Sequence, residues 1–337
     1  MNNHLVSVII PCYNAEQHID HSIRSVYDQD YPFIELIVVD DGSTDSSLEK
    51  ILSWTKRFSE KGYTLKSVHQ NNRGLGGAID TALKYVEGTY LTLLDADDIY
   101  LPGAIRKKAL FLDTNPGYAG VRNNGWFVQG SNRTLFIQTE EERNITDLFS
   151  ALTYGKTNNW AGTYMVRTSI LFKAYPDRNI NPSRFGQNFQ ILLPVSYRQK
   201  FGYIDEPLME YHIQKNSLSQ INDPDQRYLL GERNSAGWRE IYNQIVSDIV
   251  QDEKERQTYL NAYSSVYYRG GLHRAAANNR LDDFIAYYHA LVSTKLSTLN
   301  DHIFYYSVRR SPLVIPLKVL RRLRMCLSYV EGGFSHA

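Results

Sequence analysis

Cysteine is scarce in this sequence, at Cys12 and Cys326 only. Two such distant thiols make neither a disulfide framework nor a cysteine-type zinc site, and a reducing compartment is the simplest setting. Long apolar runs are missing as well. No stretch approaches the roughly 20 residues that a membrane span requires. The opening "MNNHLVSVIIPCYN" has no basic region and too short an apolar run for a secretory leader. A cytoplasmic location is therefore expected, compatible with the inner face of the cell membrane. An excess of charge is absent too: 37 Lys and Arg stand against 36 Asp and Glu. Nothing in that balance marks nucleic acid as a partner. The glycine-rich stretch "NNRGLGGAID" has neither G-x-G-x-x-G nor P-loop spacing, which sets aside both phosphate-binding fingerprints.

What remains is a chain of 337 residues, 42% hydrophobic, long enough for more than one core. Its first half alternates two patterns. "VSVIIP", "IELIVVD", "YTLKSVHQ" and "TYLTLLD" read as strands. Between them, "NAEQHIDHSIRSVY", "STDSSLEKILSWTKRF" and "GGAIDTALKYV" read as helices, with Asn14 as the expected N-cap of the first. Strand alternating with helix predicts an α/β fold with a mainly parallel sheet covered by helices. "YAGVRNNGWFVQG" and "GTYMVRTSIL" read as further strands, "ITDLFSALTYG" as a helix, and "FGYIDEPLMEYH" as a late strand and turn. From about residue 218 the pattern is helical. The expected organisation is a catalytic domain over 1–220 and a mainly helical region over 221–337.

In parallel sheets, ligands bind beyond the carboxyl ends of the strands. Three of these ends are polar here: "PCYN", "DDGSTD" and "DADD". Asp95 and Asp97 are separated by one residue and project to one side if the segment is extended. Two hard oxygen ligands with room left for phosphate suit Mg²⁺ or Mn²⁺. The same acidic residues would equally suit the first turn of a following helix. In "VVDDGSTDSS", an aspartate before the glycine can accept from a base N–H or a ribose hydroxyl, while Asp45 and the serines can cap a helix. Tyr13 can stack on a planar base or pack at the sheet edge. Arg73 can reach a carbonyl or phosphate, or lie solvated in a turn.

Taken in order, "VSVIIPCYNAEQHIDHSIRSVYDQDYPFIELIVVDDGSTDSS" and "NRGLGGAIDTALKYVEGTYLTLLDADD" resemble the nucleotide-binding half of the family 2 glycosyltransferases. The resemblance covers about residues 5 to 115 and continues more weakly to about 220. It implies a GT-A fold and an inverting transfer from a nucleotide-diphosphate sugar, expected to be a UDP-sugar. The acceptor would be a glycan or lipid-linked glycan of the bacterial cell surface. By position, Pro11, Tyr13 and Asp40 would hold the base and Arg73 would help fix the nucleotide. Asn14, Asp41, Gly74 and Ala96 would line the same donor site. Asp95 would contact ribose or metal, and Asp97 would ligate a divalent cation, Mn²⁺ or Mg²⁺.

The sequence departs from the family's pattern at the general base. The family's Glu-Asp pair is matched by Gln187-Asn188, inside an otherwise intact frame from Gly186 to "FGYIDEPL". An amide takes no proton at neutral pH. Asn188 therefore marks the position of the usual base without its chemistry. Asp205, Glu206 or Glu210 could serve instead, Asn188 could orient the acceptor hydroxyl, or the chain could bind sugar nucleotides without turnover. His212 falls where relatives carry an arginine near the donor phosphates. Finally, "RRSPLVIPLKVLRRLRMCL" over 309–327 is basic, leucine-striped and free of acidic residues, which suits peripheral contact with anionic lipid or packing on the protein.

Overall fold

The computed structural model describes residues 4–213 and 223–310. The basic stretch beyond Arg310, Cys326 and the boundary expected near residue 220 lie outside the described residues. The chain divides into two compact units, 1–149 with 159–214, and 150–158 with 215–337.

Nine strands of the first unit form one sheet: β1 (Val6–Cys12), β2 (Ile34–Asp40), β3 (Thr64–His69), β4 (Tyr90–Leu93), β5 (Ile99–Tyr100), β6 (Tyr118–Gln129), β7 (Asn132–Leu135), β8 (Tyr164–Arg167) and β9 (Lys200–His212). Their spatial order is β3-β2-β1-β4-β8-β6-β9-β5, with β7 paired to β6. The β3-β2-β1-β4 half is parallel throughout. The other half is mixed: β8 runs antiparallel to β4 and β6, while β9 is parallel to β6. The mainly parallel sheet expected from the sequence thus holds for the first half of the unit only.

The parallel half is buried on both faces because β1 and β2 carry apolar side chains at nearly every position. Val6, Val8, Ile10, Leu36 and Val38 join one cluster with Ile19, Ile23 and Val26 of helix α1 (Ile19–Tyr27). Ile51 of α2 (Ser47–Ser53) and Phe58 of α3 (Thr55–Glu60) complete it, with Trp54 between the two. The single helix expected over "STDSSLEKILSWTKRF" is therefore two. Helix α4 (Gly74–Leu83) packs against β1 and β2.

The unit continues with α5 (Ala104–Thr114), α6 (Glu140–Arg143), α8 (Thr168–Ala174) and α9 (Gln187–Ser196), while α7 (Leu148–Thr153) passes from the first unit into the second. Strand β1 has β2 on one side and β4 on the other, so the chain's crossovers diverge there. Such a switch point opens a crevice at the carboxyl ends of the strands.

The second unit holds α10 (Pro224–Ile249), α11 (Glu253–Ala277), α12 (Leu281–Ser293) and α13 (Leu299–Arg310). Asp223 caps α10 by accepting from Asp225 N and Gln226 N, with Pro224 where a helix tolerates proline. The unit's core is aromatic: Tyr288 stacks on Tyr305 at 3.6 Å, beside Phe284. No helix among the described residues is long and apolar enough to cross a membrane.

Candidate active site

The parallel register lines up the ends of three strands. Cys12 lies opposite Asp40, and Asp40 opposite His69. Pro11 is buried within β1, and Tyr13, just past its end, is 53% exposed. Burial and the charge of Asp40 push the Cys12 thiol up to about 12, which leaves it an inert packing group.

Asn14 does not cap α1, which starts at Ile19. It sits in the left-handed region at φ 48°, where its backbone N donates to Ser43 Oγ and its Oδ1 accepts from Thr44 N. It clasps the loop after β2 instead. The sequence pattern suggested a cap because asparagine favours both conformations.

Asp40 has no exposed surface. Its Oδ2 is 2.6 Å from His69 Nδ1, and its Oδ1 accepts from Ser43 N at 3.3 Å. Asp41 is equally occupied: Gln70 Nε2, Arg73 N and Gly74 N all donate to it, at 2.6 to 2.8 Å. It shapes the glycine-rich loop around itself. Gly42 permits this fold-back. A Cβ there would meet Asn72 N at 2.9 Å, on a backbone with φ +79°. Arg73 pairs with Asp80 and Thr81 on α4, each at 3.1 Å.

The acidic cluster at the end of β4 forms no helix cap. The next helix, α5, begins only at Ala104, after the turn and β5. Ser22 Oγ of α1 holds the turn by donating to Ala96 O and Asp98 O. Burial, then the charge of Asp97, pushes the carboxyl of Asp95 above its ordinary range. Asp98 is raised by burial and by both neighbours. Asp97 is raised by burial, against the charges of His18 and His212.

Asp98 Oδ1 accepts from His212 N at 3.3 Å, whereas its buried Oδ2 has no hydrogen-bond partner among the described residues. Carboxylates at this turn could lend one or two oxygen ligands to a divalent cation that also meets a diphosphate, as the orphan oxygen of Asp98 invites. No three His, Cys, Asp or Glu side chains among the described residues enclose such an ion, so phosphate and water would supply most of its shell. His18 is a residue that sequence reasoning missed. Nothing in "AEQHID" distinguishes a histidine facing the acidic turn from one in solvent.

Asn188 is in the first turn of α9, which Gly186 opens with φ 69°. The buried hydroxyl of Tyr164 donates to its Oδ1 at 2.8 Å. Tyr164 also feels the charge of Asp95, which relates this amide to the acidic turn. The three carboxylates named as substitutes are all engaged. Asp205 lies 3.5 Å from Arg143 and Glu206 pairs with Lys107. Buried Glu210 lies 2.8 Å from Arg133 and 3.2 Å from His212.

A switch point at the carboxyl ends of an α/β sheet, with an acidic turn past the end of β4, is the arrangement of the GT-A fold. Residues 7–173 match the family described as Glycosyl transferase family 2, and the chain belongs to that family. It is 25% identical over 253 residues to an uncharacterized glycosyltransferase of Nostoc sp., covering 73% of this chain and 75% of that protein. It is 36% identical over 131 residues to the Escherichia coli UDP-Glc:alpha-D-GlcNAc-diphosphoundecaprenol beta-1,3-glucosyltransferase WfgD, covering 39% of this chain and 47% of WfgD. It thus spans about half the length of that relative.

Among solved structures, S. aureus TarS 1-349 in complex with UDP matches with TM-score 0.55 at 20% identity, over 79% of this chain and 72% of that one. The mannosyltransferase PcManGT from Pyrobaculum calidifontis, in complex with GDP-Man and Mn2+, matches with TM-score 0.57 at 15% identity, over 98% and 86%. At these identities the likeness is one of fold.

Proposed function

We propose that the protein transfers a sugar, with inversion, from a UDP-sugar to a hydroxyl of a cell-surface glycan or its lipid-linked precursor. The observation that carries this reading is the acidic turn of Asp95, Asp97 and Asp98, whose carboxyls burial raises, at the end of β4, with Tyr13 exposed past the end of neighbouring β1. Tyr13 would stack on the base, with the Asp40 and His69 pair at its edge. Asp41 shapes the loop that brings Arg73 and Gly74 near the donor. Asp97, with Asp95, would hold Mn²⁺ or Mg²⁺, which neutralises the diphosphate as it leaves. Asn188 would direct the acceptor hydroxyl through its amide. His212, tied to Asp98 and Glu210, would meet a phosphate. WfgD's UDP-Glc donor and diphosphoundecaprenol-linked acceptor support the choice of donor and acceptor class. Lipid-linked acceptors would also suit membrane contact through the basic 309–327 stretch.

The test is release of nucleoside diphosphate. Purified protein, Mn²⁺ and a panel of sugar nucleotides are incubated with lipid-linked glycan from an envelope extract, with and without EDTA. EDTA-sensitive release of UDP from one donor is expected. The second reading, a sugar-nucleotide-binding protein without turnover, is favoured by Asn188, whose amide takes no proton. Metal-dependent donor binding with no release under any acceptor would decide for it.

A further inference from the structure

Helix α13 has two unlike sides. Tyr305 is buried and stacks on Tyr288, and Phe304 and Val308 pack on the same aromatic cluster. Asp301, the one acidic residue of the helix, is buried as well, where Arg269 Nε donates to it at 3.1 Å. At 3.6 residues per turn, Leu299, Ile303 and Tyr306 fall on the opposite side, within an arc of about 60°. They are 74%, 58% and 52% exposed. A single exposed apolar side chain needs no partner. Three in a row, directly opposite a packed side, mark a contact surface.

Charge decides what this row meets. With Asp301 buried and paired, the outer side of α13 carries no carboxylate. The sequence then has no Asp or Glu from His302 to Val330, and six Lys and Arg between Arg309 and Arg324. A second copy of the chain would bring the same positive charge against it and be repelled. A nucleic acid would match the charge and leave the apolar row without a partner. A bilayer with anionic headgroups answers both, since it offers negative charge at its surface and hydrocarbon just beneath.

We infer that the outer row of α13, formed by Leu299, Ile303 and Tyr306, is a docking surface for an anionic lipid bilayer. With 12 residues the helix is too short to cross the bilayer. It lies along the interface, with Leu299 and Ile303 immersed and the Tyr306 ring at the depth of the headgroups. The inference deepens the lipid contact proposed for the 309–327 stretch and rests on it for the positive charge. It places the apolar part of that contact on α13.

The test is co-sedimentation of the full chain with vesicles of phosphatidylcholine, with and without phosphatidylglycerol, and with no sugar nucleotide or acceptor present. Binding to the anionic vesicles alone is expected, and it should weaken as salt is raised. Leu299→Ser combined with Ile303→Ser removes the apolar row and leaves the charge. It should weaken binding about tenfold or more, the scale for withdrawing two apolar side chains from hydrocarbon, at an unchanged melting temperature. Ile303→Trp should keep or tighten binding, because tryptophan favours the interface, and a purely structural role would not give that result. Wild-type binding by the double serine variant would overturn the inference. If Lys318→Gln, Arg321→Gln and Arg322→Gln together then abolish binding, the lipid contact belongs to the basic stretch alone. A lower melting temperature in the serine variant with unchanged vesicle binding would mean that another part of the chain covers the row. A wild-type dimer in light scattering that the serine variant breaks, with no effect on vesicle binding, would mean that a second copy does. Either result overturns the inference. No vesicle binding by wild type would overturn it together with the lipid contact of 309–327, and would leave the transfer reaction standing, since release of UDP reads that separately.

Discussion

The hydroxyl of buried Tyr164 donates to Asn188 Oδ1 at 2.8 Å, which engages the oxygen of that amide and leaves its nitrogen to donate elsewhere. On the proposed reading, the group this amide offers to an acceptor is an N–H donor that can hold a hydroxyl by its oxygen. If Asn188 meets only the acceptor, as proposed, Asn188→Ala should lower the turnover number with little change in the dissociation constant of the donor. Tyr164→Phe should do the same more weakly, by freeing the amide to rotate. Equal loss of donor affinity in both variants would place Asn188 in the donor site instead.

Asn188→Asp separates the two accounts of the missing base. A site that had merely lost its base would gain rate, by roughly 10²–10⁴-fold. A site with another base would gain a second negative charge in the same site and slow down. The slower outcome is expected. Steady-state release of nucleoside diphosphate reads the difference directly.

Asp97→Asn should act oppositely on binding and on stability. Three carboxylates crowd one turn, and burial raises all of them. Neutralising one relieves repulsion in the metal-free protein, so its melting temperature in EDTA should rise by a few degrees, equivalent to about 1 kcal/mol. The stabilisation that wild type gains from Mn²⁺ with UDP should disappear. Mn²⁺-dependent UDP binding retained in the variant would sink the assignment of the metal to Asp97.

The parallel half of the sheet was legible because its strands are uninterrupted β-branched runs and its polar ends fall in order. The acidic turn was legible for the same reason: a buried apolar strand that stops in carboxylates needs a partner for them. What the sequence hid is pairing between distant positions. Asp40 and His69 are 29 residues apart and meet only through the register of β2 and β3. Asp41 reads like a ligand contact, yet its oxygens are spent on the loop from Gln70 to Gly74. The mixed half was harder because β6, β8 and β9 carry polar side chains inward, such as Arg122 and Asn123. Periodicity cannot tell such strands' direction or neighbours.

Asp41→Asn tests that loop. Its carboxylate faces three N–H groups, and an amide can present only one oxygen to them. At least one donor then faces another donor. A loss of about 2–3 kcal/mol in stability is expected, the range for hydrogen bonds to a charged group. Donor affinity should fall with it, because the loop carries Arg73 and Gly74. Unfolding of the variant in urea, with UDP titrations below the transition, checks both. Lost affinity at unchanged stability would mean that Asp41 touches the nucleotide itself.

Lys108 supplies a test on pH. Its side chain is fully buried on α5, donating to Gly162 O at 3.0 Å, with its ammonium 4.3 Å from the centre of the Tyr100 ring. Gly162 N in turn donates to Leu93 O at the end of β4, so this lysine props the floor beneath the acidic turn. Burial pushes its pKa down to about 7, against about 10.5 in an unfolded chain. Below pH 7 both states carry the charge, and the folded state bears the full cost of burying it. Above pH 7 the folded lysine is neutral while the unfolded one still binds a proton. The unfolded state then holds more protons, so stability rises with pH, by up to about 1.4 kcal/mol per unit. Lys108→Met removes this contribution, together with one hydrogen bond to Gly162 whose loss does not depend on pH. The difference in stability between wild type and variant should therefore shift toward wild type from pH 7 to pH 9, by about 2–3 kcal/mol. Urea unfolding at pH 6, 7, 8 and 9 measures it. The two proteins should run parallel from pH 6 to 7 and diverge above. Parallel curves over the whole range would show that Lys108 stays charged in the folded protein, held by the Gly162 carbonyl and the Tyr100 ring against the cost of burial.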